Sequence, residues 1–117
     1  MPRVLIVDDE DGIRSLLSTA FTRAGYWVTA AANAHSAMDL CERQRFDVIL
    51  SDVNMSGMDG HGLVQWVSKA QPAIRSLLMS AEELVCHNCP NTRRCTFLQK
   101  PFLPEVAIAA VGEVLRA

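Results

Sequence analysis

Five short apolar runs, most of them followed by a stripe of apolar residues at helical spacing, constrain this chain more than any other feature. Val4-Leu5-Ile6-Val7 is continuous and rich in β-branched residues, as a strand covered on both faces should be. Ile13, Leu16, Leu17, Ala20, Phe21 and Ala24 then recur every three or four residues, and Gly25 comes next, where a C-terminal helix glycine belongs. Tyr26-Trp27-Val28-Thr29 reads as a second strand, and Ala34, Ala37, Met38 and Cys41 as a second helical stripe. Val48-Ile49-Leu50 is a third strand, and Leu63, Trp66, Val67 and Ala70 mark a third helix that stops before Pro72. Leu77-Leu78-Met79 and Phe97-Leu98 are the fourth and fifth strands. Pro104 opens a last helix whose core stripe is Ala107, Ala110, Val111, Val114 and Leu115. Strands alternating with helices predict the α/β class: a doubly wound, five-stranded parallel sheet of (βα)5 type in the order 2-1-3-4-5.

The 117 residues fit one domain, residues 1–117, with length enough for a core of its own. Half of them are hydrophobic and 21% are charged, which excludes a disordered chain. With 13 acidic and 11 basic side chains the net charge is −2, so no overall field draws the chain to nucleic acid. The longest apolar runs, 4–7 and 106–111, fall far short of the roughly 18 residues a membrane span needs. One arginine, four apolar residues and then acids do not make a signal peptide. The expectation is a cytoplasmic protein whose four cysteines are reduced.

The polar residues that close each apolar run carry the chemistry. The first strand ends in Asp8-Asp9-Glu10, the third in Ser51-Asp52, the fourth in Ser80 and the fifth in Gln99-Lys100-Pro101. The second ends in Thr29-Ala30-Ala31, without an ionisable group. A parallel sheet puts all carboxyl ends on one edge, where ligands bind. Asp8, Asp9, Asp52, Ser80 and Lys100 should therefore converge. Carboxylates about 5 Å apart repel by roughly 3 kcal/mol per pair at an effective dielectric near 20. A lysine offsets part of that, and a hard dication such as Mg²⁺ offsets more. Taken singly, each residue has an ordinary account: Asp9 or Asp11 as a helix cap, Asp52 or Asp59 in a turn, Ser80 as a strand-end hydroxyl, Lys100 as a solvated charge. Together, on consecutive strand ends, they supply a carboxylate nucleophile, a cation, a hydroxyl and a metal site, the parts of phosphoryl transfer.

Val4-Leu5-Ile6-Val7-Asp8-Asp9-Glu10, Asp47-Val48-Ile49-Leu50-Ser51-Asp52-Val53-Asn54-Met55, Met58-Asp59-Gly60, Ser80-Ala81 and Lys100-Pro101-Phe102 stand in one order along nearly the whole chain. In this it resembles the receiver domain of two-component response regulators, chemotaxis regulators included, with a flavodoxin-like sheet. The resemblance implies that Asp52 is the phosphoacceptor. It implies that Asp8 and Asp9 hold Mg²⁺ with Asp52 and the backbone carbonyl of Asn54. Lys100 would contact the phosphoryl oxygens, and Ser80 would give its hydroxyl to the phosphoryl group. Ser80 and Phe97 would form the switch, although Phe97 lacks the hydroxyl of a tyrosine. Asn54 and Glu82 fall where the family tunes autodephosphorylation. The donor would be a phosphohistidine of a sensor histidine kinase or phosphotransfer protein. The output surface would be the fourth helix, fifth strand and fifth helix, with Val106 and Ile108 as exposed contacts. The output protein or domain is unnamed by the sequence; no nucleic acid or membrane is implied, and a phosphorylation-dependent homodimer is compatible. Such a domain is no enzyme in the turnover sense, catalysing only its own phosphorylation and dephosphorylation. An aspartate-dependent phosphohydrolase would carry a second acid two residues after the nucleophile, where this chain has Asn54.

Three departures stand out. Ser56 replaces a usual proline, and Leu103 a usual polar cap before Pro104. The stretch Cys86-His87-Asn88-Cys89-Pro90-Asn91-Thr92-Arg93-Arg94-Cys95 should contain the fourth helix, but Pro90 and the asparagines predict a shortened or irregular one. Its cysteine spacing leaves three readings open. They are plain reduced thiols, a disulfide or redox switch, and a second metal site from Cys86, Cys89, Cys95 and His87 for Zn²⁺ or an iron–sulfur cluster. The metal or redox readings would make the chain a metal- or redox-sensing interaction module, in which the cysteine segment dominates and the Asp site modulates. Cys41 reads as core, and His35 and His61 as helix-start surface residues.

Overall fold

The computed structural model describes residues 2–53, 60–80, 95–100 and 102–116. Within them the apolar runs form β1 (Arg3–Val7), β2 (Trp27–Ala31), β3 (Val48–Asp52), β4 (Arg75–Ser80) and β5 (Cys95–Gln99). The helical stripes form α1 (Asp11–Arg23), α2 (Ala34–Arg43), α3 (Gly60–Ala70) and α4 (Pro104–Arg116), the last of which is the helix predicted at the end of the chain. All strand pairs are parallel, and the sheet order is β2-β1-β3-β4-β5, as the sequence predicts. The expected fourth helix, with Cys86, His87, Cys89 and Pro90, lies outside the described residues, as do Asn54, Ser56 and Glu82.

Alternation along the strands builds two cores. Val4, Ile6, Val48, Leu50, Leu77 and Met79 point to one face and meet Leu17 and Phe21 of α1 and Ala107 and Val111 of α4. Leu5, Val7 and Ile49 point to the other and meet Ala34, Ala37 and Cys41 of α2 and Leu63 and Val67 of α3. Both faces of β1 and β3 are dry, which is why these strands read as unbroken apolar runs. Helix ends obey local chemistry. Asn33 caps α2 by accepting from the Ser36 amide at 2.8 Å. Gly25 takes φ +97° after α1, a conformation that costs any side chain.

Some positions depart from the expected stripes. Leu16 is 56% exposed because the apolar positions span a wider arc of α1 than the sheet covers, and Ala24, the residue that ends the helix, is also at the surface. Leu16 instead lines an open cleft of about 240 Å³ with Ile13, Leu17, Lys100, Phe102 and Pro104. Trp27, on the edge strand, is 58% exposed and stacks under the Arg3 guanidinium, 5.5 Å from its ring centroid. Val64 is buried although it lies off the predicted stripe of α3, and Ala70 is exposed. On α4, Val106 is exposed as expected, but Ile108 is half-buried against the core.

Cys41 is a core residue, as predicted. Burial first, and then the charge of Glu42, push its thiol up to about 11. The folded value lies above the unfolded one, so the neutral thiol favours the fold below about pH 8.5, and that contribution is lost as pH climbs toward the folded value. Iodoacetamide at pH 8 is expected to leave Cys41 unmodified in native protein and to label it in urea. Peptide mass spectrometry reads this directly, and equal labelling in both states would contradict the burial.

Candidate functional site

Register alone brings the polar strand ends together. Val7 pairs with Ser51, Asp52 with Met79 and Ser80 with Gln99, so the residues after each strand share one rim. Asp8 comes directly after β1 and anchors to the edge strand through its amide, which donates to the Ala31 carbonyl at 3.1 Å. Its carboxylate is fully buried. One oxygen, Oδ1, accepts from the Glu10 amide at 2.9 Å, and the other, Oδ2, accepts from Lys100 Nζ at 3.1 Å. Lys100 Nζ also lies 3.4 Å from Asp52 Oδ2. The Lys100 amide donates to the Ser80 carbonyl at 2.6 Å, which ties the fifth strand end to the fourth.

Asp8, Asp9 and Asp52 each offer an oxygen, and these atoms lie within 4.8 Å of one another. Asp8 and Asp52 are buried and Asp9 is exposed. Three hard oxygen donors at one solvent-facing rim suit a Mg²⁺ ion, which binds few carboxylates and keeps several waters. Burial by itself would lower the Lys100 pKa. The hydrogen bond to Asp8 and the charges of Asp8 and Asp52 outweigh it, so the ammonium is held above its ordinary 10.5 and stays charged at neutral pH.

Asp8, Asp9, Asp52 and Lys100 thus meet at one rim, and the Ser80 backbone reaches it through its carbonyl, which accepts from the Lys100 amide. Ser80 is buried at the end of β4. Phe97 stands in β5 opposite Leu78, and Cys95 opposite Ser76. The capping alternatives fail: the N-cap of α1 is Glu10 with no side-chain cap, and Asp11 pairs with Arg14. Sequence reasoning missed Arg14, whose Nη1 donates to the Asp8 carbonyl at 2.7 Å. Its signal was faint, an arginine three residues after an aspartate near a helix start.

Asp9 contributes repulsion and little else while no cation is bound. Asp9→Ala is expected to raise urea stability in EDTA by up to about 1 kcal/mol, the scale of an exposed charge interaction. Mg²⁺ affinity should fall at least about tenfold, read by calorimetric titration. Unchanged Mg²⁺ affinity would exclude Asp9 from the metal site.

Comparison with known proteins agrees with this geometry. The family model for the response regulator receiver domain matches residues 4–112. The chain therefore belongs to the response regulator receiver family and is a receiver domain of two-component signalling. It is 34% identical to the response regulator protein FleR of Pseudomonas aeruginosa over 119 residues, covering 96% of this chain and 25% of that protein. It is 38% identical to sporulation initiation phosphotransferase F of Bacillus subtilis over 79 residues, 68% of this chain and 64% of the relative. Among solved structures, the chemotaxis protein CheY4 of Vibrio cholerae superposes with a TM-score of 0.89 at 32% identity, covering 97% of this chain and 98% of that one. Receiver domains hold Mg²⁺ at such an acidic pocket, work with histidine kinases or phosphotransfer proteins, and are generally not enzymes. None of these matches supports a metal- or redox-sensing role for the cysteine segment, and Zn²⁺ or an iron–sulfur cluster is without support. Among the described residues, no helix is long and apolar enough to cross a membrane.

Proposed function

We propose that residues 1–117 form one receiver domain whose Asp52 accepts a phosphoryl group from a phosphohistidine of a sensor histidine kinase or phosphotransfer protein. The observation that carries this is a single lysine nitrogen 3.1 Å from Asp8 and 3.4 Å from Asp52, beside three carboxylates that share one 4.8 Å cluster. Asp8, Asp9, Asp52 and the carbonyl of Asn54 would hold Mg²⁺, which supplies neutralisation of phosphoryl charge. The Asp52 carboxylate attacks phosphorus in line; its O–P bond forms as the N–P bond of the donor breaks, and the electron pair leaves with the imidazole nitrogen. Lys100 meets the negative charge on the transferring oxygens with a cation already fixed in place. The cleft lined by Lys100 and the exposed Leu16 would give the donor's protein an apolar surface that reaches the lysine of the site.

After transfer, the Ser80 hydroxyl turns to the new acyl phosphate and Phe97 repacks into the space left behind. The change passes to β5 and α4, where exposed Val106 offers a contact to an output protein, an attached domain or a second phosphorylated copy. Asn54 and Glu82 set the lifetime by orienting water. The domain catalyses only its own phosphorylation and dephosphorylation, and it works in the cytoplasm. The test is incubation with acetyl phosphate and Mg²⁺, and then intact-mass spectrometry. A labile gain of about 80 Da that disappears in EDTA supports the reading. Its absence at saturating donor would overturn it.

A further inference from the structure

We infer that Arg14 is a positioning residue for the acidic site: it pins the Asp8–Asp9 peptide and so presents the Asp9 carboxylate to the cluster. The inference rests on reading that cluster as a divalent-cation site.

Asp9 is the least anchored of the three acids. It is exposed, and among the described residues no hydrogen bond or ion pair reaches its carboxylate, whereas both oxygens of Asp8 are held. Its place in the 4.8 Å cluster therefore depends on its backbone. That backbone is fixed from one side by the Asp8 amide on Ala31 and from the other by Arg14 Nη1 on the Asp8 carbonyl at 2.7 Å. The carbonyl belongs to the peptide plane joining Asp8 to Asp9. Releasing it frees that plane to turn and carries Asp9 away from Asp8 and Asp52.

The rest of Arg14 is arranged to hold this contact. A cation near a helix N-terminus opposes the helix dipole. Here the Nη2 atom is paired with Asp11 in the first turn of α1, and the side chain is only 21% exposed. Asp11 is itself 91% exposed, so its visible partnership is with the guanidinium. Asp11 neutralises and orients the fork, and the fork holds the strand end.

Charge and positioning predict opposite signs. Removing a cation beside a dication site should by itself tighten dication binding. Loss of positioning should loosen it by about tenfold or more, the usual cost of losing a group that orients a ligand. The experiment titrates Mn²⁺, monitored by electron paramagnetic resonance, into wild type, Arg14→Met, Arg14→Lys, Asp9→Ala and the double variant Asp9→Ala/Arg14→Met. Circular dichroism establishes that each is folded. Weaker binding by Arg14→Met, a smaller loss for Arg14→Lys, and no further loss when Arg14→Met is added to Asp9→Ala support the inference. Equal or tighter binding by the Arg14 variants overturns it, as does a full additional loss in the Asp9→Ala background. If Arg14→Met fails to fold, Arg14→Lys decides, because it keeps the cation and a loss of affinity then reports positioning alone. Wild type that takes up no Mn²⁺ overturns the metal site and the inference together, a result distinct from wild type and variants binding alike.

Discussion

Asp52→Asn is expected to abolish phosphoryl uptake from acetyl phosphate altogether, while the protein stays folded. The amide keeps the shape of the side chain but offers no anionic oxygen for attack on phosphorus. It also removes one of three anionic ligands, so Mg²⁺ should bind roughly tenfold or more weakly. Stability in EDTA should move by no more than about 1 kcal/mol, because two opposed effects are lost at once. One is attraction to Lys100 at 3.4 Å, and the other is repulsion from the neighbouring Asp8 and Asp9. Intact-mass spectrometry, calorimetric titration and urea unfolding check the three statements. A persistent adduct of about 80 Da on the variant would move the acceptor to another residue.

Lys100→Ala should have the largest effect on the fold itself. The lysine side chain is 14% exposed and faces an Asp8 carboxylate that is 0% exposed. Without it, Asp8 Oδ2 loses the donor at 3.1 Å and Asp52 loses the ion pair at 3.4 Å, while the two carboxylates still repel each other. Breaking a buried pair costs about 3–5 kcal/mol, and partial access of water lowers that here to about 2–4 kcal/mol in EDTA. Millimolar Mg²⁺ should restore part of the loss, since the ion neutralises the same carboxylates. Phosphoryl uptake should slow by about 10²–10³-fold, the usual cost of losing one preorganised group that meets transition-state charge. Urea unfolding with and without Mg²⁺, and the time course of adduct formation, measure both. A loss under about 0.5 kcal/mol in EDTA would show that Lys100 is not what makes Asp8 tolerable in the interior.

The sheet was legible because of how it is buried. Strands dry on both faces leave continuous apolar runs, and helices dry on one side leave stripes. Strand limits were less legible. Arg3, Ser51, Asp52 and Ser80 belong to strands although none is apolar, since the ladder of backbone hydrogen bonds continues whatever the side chain. Leu16 and Ile108 show the limit of periodicity: Leu16 belongs to the predicted stripe and is exposed, whereas Ile108 lies off it and is half-buried. Spacing gives the direction a stripe faces, but not how far a neighbouring helix covers its flanks. The acids and the lysine were legible because a parallel sheet sends every strand end to one rim. Arg14 was not, because its partner is a peptide carbonyl, a group that every position carries and no residue name reveals.

The two-sided sheet has a consequence for signalling. Adjacent residues of β1 serve opposite layers, Val4 and Ile6 one and Leu5 and Val7 the other. Neither layer can loosen without exposing the backs of strands that the other still needs. Under the proposed transfer to Asp52, a disturbance at the charged rim would leave these paired layers in place and act on what surrounds them. A doubly packed centre would then turn a local chemical event into a change of surface.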